Sequence, residues 1–397
     1  MSDLKIQLRD QVLNAVSQGQ QLNIIGGDSK SFMGRAANGE PLRVSGHQGI
    51  ISYQPVELVL TARAGTPLHE IEAALAEHDQ MLAFEPPKFG RDFASGVDTQ
   101  CVSNSTLGGT LATNQSGPAR PWCGSVRDHV LGLGLINGRG EKLNFGGQVM
   151  KNVAGYDVSR LQAGAMGTLG LITEISLKVM PKPAVTQTLI EPMTVDHAIT
   201  VMNQYSAQSK PLSGACWYGG SLYLRLSGAG SAVQATVKQW TARSDAELMD
   251  PQSAERFWCQ LRDQTLPFFG TNSIDAVSTV AADSAALESA TAYQRALWRF
   301  SVKPTADQPE AINGDWLIDW GGAQRWLRTI SAAQRSMAEM ETMAVAMAGQ
   351  VSLYRGGDRS DEVMHRQTSA LQAIQQRLKR SLDPSLVFNL GRLYRWM

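Results

Sequence analysis

Leu22-Asn-Ile-Ile-Gly-Gly-Asp-Ser-Lys-Ser-Phe-Met-Gly34 is the stretch on which the reading of this chain turns. A short apolar run, Leu22 to Ile25, enters paired glycines, then small polar residues, then a third glycine. Glycine tolerates positive φ and lets other atoms approach closely, so such a loop can turn successive backbone N–H groups toward an anion. A plain strand-ending turn has the same look. A second run, Ser105-Thr-Leu-Gly-Gly-Thr-Leu-Ala-Thr-Asn-Gln-Ser-Gly117, still falls early in the 397 residues. Two such runs point to a long ligand that carries a diphosphate. Neither contains G-x-G-x-x-G, and no G-x-x-x-x-G-K-[ST] occurs; the spacings at Gly132/Gly134 and Gly138/Gly140 lack a third glycine. The pattern therefore speaks against a nicotinamide-binding Rossmann unit and against a P-loop.

Size and composition narrow the classes further. A chain of 397 residues has room for two or three domains, each with its own core. Lys+Arg and Asp+Glu both number 36, so the basic excess of a nucleic-acid binder is missing. Charged residues make up only 18% and there are nine Trp, which suits either core packing or a protein–protein surface. The four cysteines, Cys101, Cys123, Cys216 and Cys259, form no C-x-x-C, so no iron–sulfur or structural zinc site is built from them. Scattered thiols suit a reducing compartment. The start has no signal-peptide core, and no run approaches the ~20 apolar residues that span a bilayer. A cytoplasmic protein, at most peripheral to the inner face of the cell membrane, is expected.

Along the chain, apolar residues at Leu4, Leu8, Val12 and Val16 give a helix over 3–17 with Asp3 placed to cap it. Strands are expected at Leu22 to Ile25, Leu42 to Val44, Ile50 to Tyr53 and Glu57 to Ala62. Thr66 and Pro67 then open a helix to about His78. Val130 to Ile136 and Lys142 to Phe145 read as a hairpin joined at Asn137-Gly-Arg-Gly140. Leu171 to Val179 reads as a strand ended by Pro181 and Pro183, which mark the domain boundary. Beyond it, helices near 195–208, 231–243 and 252–263 alternate with strands such as Ser221 to Leu226 and Trp316 to Asp319. A polar-faced helix follows at 361–381, and residues 270–292, rich in Ala, Ser, Thr and Asp, read as a mobile segment.

The two glycine runs, together with Lys151-Asn-Val-Ala-Gly-Tyr-Asp-Val-Ser-Arg-Leu161 and Gly167-Thr-Leu-Gly-Leu-Ile-Thr173, resemble the FAD-binding domain of the vanillyl-alcohol oxidase/p-cresol methylhydroxylase (PCMH) superfamily over about residues 15–182. Ala62-Arg-Ala-Gly-Thr-Pro-Leu68, Phe84-Glu-Pro-Pro87, Gly146 to Asp157 and Phe388-Asn-Leu-Gly-Arg-Leu-Tyr394 are similar to the FAD-binding E subunits of bacterial glycolate oxidases. The resemblance implies an α+β chain with a two-subdomain PCMH-type FAD-binding domain at 1–182. An α+β cap domain with a mostly antiparallel sheet follows at 183–397, and 384–397 is able to return to the first domain.

The same resemblance implies the site. Gly26, Gly27, Asp28, Ser29, Lys30 and Ser31 would surround the diphosphate of FAD. Thr106, Gly108, Gly109, Thr113, Ser116 and Gly117 would add contacts from the second run, and Gly124, Val126 and Asp128 would line the flavin and ribityl segment. Gly167, Leu169, Gly170 and Ile172 would hold the cofactor from the far side, although Leu169 and Ile172 equally suit strand packing. FAD is expected to be noncovalent, since the first loop has no His or Cys; Cys101, Cys123 and His129 near the second segment equally suit ordinary packing. Lys151, Asn152, Tyr156 and Arg160 form a polar cluster that is either a solvated helix start or a contact to flavin or partner, a cation there favouring the reduced ring.

Relatives that oxidise 2-hydroxy acids carry a His-rich metal motif beside Gly-Asp-Gly-Asn in the second domain. Here only His197 and His365 lie past the boundary, and the nearest echo, Tyr354-Arg-Gly-Gly-Asp-Arg359, has no imidazole. No catalytic residue and no metal ligand is assigned. The implied function is one FAD-binding subunit of a multi-subunit glycolate oxidase. Its partners would be a paralogous FAD-binding catalytic subunit and an iron–sulfur subunit, with a small 2-hydroxy acid as substrate. Two alternatives stay open: a self-sufficient D-lactate-type dehydrogenase seating substrate on Arg355 or Arg359, and a non-catalytic flavin-binding accessory protein.

Overall fold

The computed structural model describes residues 3–36, 38–90, 103–147, 156–270, 296–309, 314–329 and 335–397. Cys101, Lys151, Asn152 and nearly all of 270–292 lie outside the described residues, and with them those expectations. Two compact units form, parting between Lys182 and Pro183: the described residues up to 182 join Arg366–Met397, and Pro183–His365 makes the other. The return to the first unit is thus longer than the expected 384–397, because the helix Ser369–Leu382 comes with it.

In the first unit, Leu22–Ile25 pairs in parallel with Glu40–Arg43, and Leu22 also bridges Phe388 of the returning C-terminal segment. A five-stranded antiparallel sheet runs in the order Ile50–Gln54, Val59–Arg63, Leu171–Lys178, Val130–Ile136, Lys142–Gly146. Its central strand is covered on both faces, so Leu171, Ile172, Ile175 and Leu177 are all buried. The same core takes Leu68, Ile71 and Leu75 from the helix Leu68–Ala76 and Leu107 and Leu111 from the helix Leu107–Thr113.

Two helix starts differ from the sequence expectation. The first helix is Lys5–Gln18, and Asp3 sits before its cap Leu4, accepting the Lys5 N–H at 3.0 Å. Its inner face is Leu8, Val12 and Ala15. The second begins after Pro67, because the Thr66 hydroxyl accepts the Gly49 N–H (2.9 Å) and donates to the Arg63 carbonyl (2.7 Å). The second glycine run is not an open loop either: the Thr106 hydroxyl accepts the Gly109 N–H at 3.2 Å and starts a helix there.

The second unit is α+β. Its eight strands among the described residues run Glu247–Leu248, Val185–Pro192, Ser221–Gly228, Leu212–Tyr218, Gly314–Asp319, Gln324–Thr329, Leu297–Ser301, Gln350–Arg355. Every neighbour pair is antiparallel. Helices Val195–Ser206, Gly230–Thr241, Pro251–Asp263 and Met337–Ala346 accompany them. The polar-faced helix expected at 361–381 starts later, at Ser369, where the Thr368 hydroxyl accepts the Leu371 N–H. Among the described residues no helix is long and apolar enough to cross a membrane.

Candidate functional site

A cleft in the first unit opens where four distant stretches meet. The first wall is Asn23–Ser31 with Met33, the second Thr106, Gly108, Gly109, Ala112 and Thr113, the third Met166, Gly167, Gly170 and Ile172, and the fourth Asn389 and Arg392. Of the residues expected from the sequence, the cleft gathers Gly26, Gly27, Asp28, Ser29, Lys30, Ser31, Thr106, Gly108, Gly109, Thr113, Gly167, Gly170 and Ile172.

The glycines act differently from one another. A Cβ on Gly27 would lie 1.6 Å from the Asn104 carbonyl oxygen, so this residue is small to let two backbones touch. Its φ is not positive; the left-handed residue of the loop is Asp28, at φ 60°. Gly108 meets Ala64 in the same way, whereas a Cβ on Gly109 would meet only the Thr106 hydroxyl, at 3.1 Å. The first loop is tied to the second wall by Ser29 Oγ and Ser105 Oγ, 3.2 Å apart.

Six expected residues do not line this cleft. Ser116 accepts the Val126 N–H (3.1 Å), and the Gly117 N–H donates to the Phe84 carbonyl (2.8 Å). Val126 is fully buried in the core, and Leu169 is 2% exposed. Asp128 closes a capping box, accepting the Ser125 N–H and hydroxyl at 2.8 Å each, beside Gly124 at φ 88°. Burial raises the Asp128 pKa, but those two bonds, with Arg127 and Arg120, outweigh it and hold the carboxyl below its usual range. Cys123 and His129 also lie off the cleft. The His129 ring nitrogens approach the Cys123 and Lys178 carbonyls at 2.9 and 3.2 Å. Tyr156 is 94% exposed, and Arg160 pairs with Asp157 at 3.4 Å.

The sequence reading missed the fourth wall. The Asn389 amide accepts the Ile24 N–H at 2.7 Å and donates to the Met166 carbonyl at 2.6 Å, binding the first and third walls together. Arg392 donates to the Ser31 carbonyl at 2.9 Å. The signals were the terminal Phe388-Asn-Leu-Gly-Arg-Leu-Tyr394 signature and the expected return of 384–397 to the first domain, neither of which says which residues the segment touches. Behind it lies a buried ion pair, Lys379–Asp383 at 2.7 Å, whose ammonium also donates to the Thr168 and Phe388 carbonyls.

Among the described residues, three ionisable side chains line the cleft, Asp28, Lys30 and Arg392. Burial lowers the Lys30 ammonium to about 7. Burial also lowers the Arg392 pKa, with Asp28 opposing. In the second unit, Arg355 is buried and donates to the Phe269 carbonyl, and Arg359 donates to the Gly356 carbonyl at 3.4 Å. Among the described residues no group of three His, Cys, Asp or Glu side chains is placed to hold a metal ion.

The sheets and the glycine-walled cleft define a PCMH-type FAD-binding fold. A family model described as FAD binding domain matches residues 7–146. The fold is similar to that of alkyldihydroxyacetonephosphate synthase (TM-score 0.60, 13% identity), covering 97% of this chain and 75% of that one. Glycolate oxidase subunit GlcD of Bacillus subtilis is 40% identical over 93 residues, 23% of this chain and 20% of that protein. D-lactate dehydrogenase of Anaerostipes hadrus is 34% identical over 143 residues, 36% of this chain and 27% of that one. Glycolate oxidase subunit GlcE of Escherichia coli K12 is 39% identical over 388 residues, 98% of this chain and 96% of that protein. The chain belongs to the family of that subunit and is an FAD-dependent oxidoreductase subunit.

Proposed function

We propose that the chain is the FAD-binding subunit of a multi-subunit enzyme that oxidises glycolate to glyoxylate. In that enzyme a paralogous FAD-binding catalytic subunit performs the hydride abstraction, and an iron–sulfur subunit passes the electrons to an acceptor other than oxygen. The observation that carries this reading is the 39% identity to a glycolate oxidase subunit across 98% of the chain. The enzyme is cytoplasmic, at most peripheral to the membrane.

The cleft's residues fit FAD held without a covalent bond. Gly26–Ser31, with Lys30 and Arg392, offer small backbone and positive charge to the diphosphate. Gly109 leaves its side of the second wall open for close approach, and Gly167, Gly170 and Ile172 close the third. Neither His nor Cys lines the cleft among the described residues. When bound, FAD would supply a two-electron redox centre in this subunit. The chain's own part is to hold the cofactor's charge, fix its orientation between four walls, and exclude water from it.

The test is co-expression with the paralogous flavoprotein and the iron–sulfur protein, followed by glycolate-dependent dye reduction. Activity that needs all three chains is expected, with weaker turnover of D-lactate. Turnover by this chain alone would favour the self-sufficient dehydrogenase, and full turnover by the other two without it would favour an accessory role.

A further inference from the structure

Lys30 lies in the first wall of the cleft at 8% exposure. Its ammonium donates to Ser105 Oγ at 3.0 Å and to Ser29 Oγ at 3.4 Å, and stands 5.6 Å from the centre of the Phe89 ring. Those partners are two neutral hydroxyls and a ring face. From the C-terminal segment, Arg392 approaches the same loop and donates to the Lys30 and Ser31 carbonyls. The loop's own carboxylate, Asp28, is exposed and acts on Arg392. No carboxylate among the described residues pairs with Lys30; burial alone sets its titration, near 7. An ammonium offers three donors, and one desolvated beside neutral partners is costly to keep charged. Arg392 stays charged throughout the neutral range.

We propose that Lys30 and Arg392 together form the seat of the diphosphate, and that Lys30 takes up one proton from solvent as the diphosphate enters. The amine becomes an ammonium, gains an anionic partner in the cleft, and makes no covalent bond. This rests on the reading that FAD occupies the cleft. It adds a proton linkage to that binding. Below about pH 7 Lys30 is already charged and binding is pH-independent. Above it the proton must be recruited, and affinity falls up to about tenfold per pH unit until the bound-state pKa is passed.

The experiment is calorimetric titration of FAD into the full chain stripped of flavin. It is run at about pH 8 in two buffers of different ionisation enthalpy, with affinities measured from about pH 6.5 to about pH 9. Uptake approaching one proton per FAD is expected in the wild-type chain. Riboflavin, which lacks phosphate, should bind without it. Lys30→Met, close in shape and uncharged, should lose the uptake and bind FAD about tenfold or more weakly at pH 6.5, the gap closing as pH rises. FAD binding with buffer-independent heat and a flat pH profile would overturn the proposal and leave the cofactor reading standing. The same proton taken up with riboflavin would also overturn it, because the diphosphate would not be the partner. Failure of FAD to bind at any pH would overturn both.

Discussion

Gly27 and Gly109 line the same cleft for opposite reasons, and substitution separates them. Valine at 27 drives a side chain into the Asn104 backbone, where the carbonyl oxygen lies 1.6 Å from the new Cβ. Neither partner is a flexible side-chain end, so the loop must shift, costing upwards of about 3 kcal/mol. Valine at 109 meets only the Thr106 hydroxyl at 3.1 Å and otherwise projects into open space. The flavin-free fold should then change by less than about 1 kcal/mol. Flavin content and thermal unfolding of the two variants are the measurement. Gly27→Val should lose both flavin and stability, and Gly109→Val flavin alone. Full flavin content in Gly109→Val would mean that the cofactor does not pass that wall. Gly26–Ser31 was readable because glycines then small polar residues after a strand suit an anion-binding loop. A strand-ending turn looks the same, and the second glycine run with the family resemblance decided between them. Gly27's true constraint was not readable, since Asn104 is brought against it only by the fold.

Elements hold the walls in place, and two anchors are open to test. The Leu4 N–H donates to His47 Nδ1 at 3.0 Å, tying the first helix to the loop after Glu40–Arg43. Burial is the main influence holding His47 below the usual imidazole value; Arg63 and Lys5 add to it, while Asp3 and Glu174 oppose it. The unfolded chain therefore takes up the proton first. The neutral ring's contribution is complete above the unfolded pKa of about 6.5 and is lost as pH falls toward the folded value, by at most about 1.4 kcal/mol per pH unit. Thermal unfolding of the flavin-free chain followed from neutral to mildly acid pH should show this slope, and His47→Asn should flatten it. An unchanged slope would remove His47 from the account. At the other end of the chain, Asp383 is fully buried against Lys379 and accepts the Val387 and Phe388 N–H groups at 3.0 and 2.9 Å. Asp383→Asn leaves the ammonium without its counter-charge, costing about 3–5 kcal/mol. It should loosen the segment that presents Asn389 and Arg392, read as faster proteolysis near the C-terminus and faster flavin loss. Wild-type rates of both would mean the segment is held by other contacts. The helix Ser369–Leu382 was legible as a helix, but its role was not, because the burial of Lys379 depends on Thr168 and Phe388, far apart in sequence.

At the scale of the whole molecule, the fold class of the first unit was legible through the family resemblance that its glycine runs carry, while turn chemistry and periodicity placed single elements such as the hairpin Val130–Ile136/Lys142–Gly146. The second unit was read less fully. Gln324–Thr329 carries two arginines and does not look like an inner strand, yet Arg325 is fully buried and donates to the Gly322 and Asp307 carbonyls. Paired in this way, a charge can sit inside a sheet, and no local pattern reveals it. The site shows the same division, with three walls marked by their own residues and the fourth supplied by a chain end that only the tertiary structure brings back. The central claim is that this cleft holds FAD without a covalent bond, and one measurement meets it directly. The full chain, purified and acid-precipitated, should release its chromophore into the filtrate as intact FAD, close to one per chain. Flavin retained in the pellet would contradict noncovalent binding, and FMN, a nicotinamide nucleotide or no chromophore at all would contradict the assignment of the cleft.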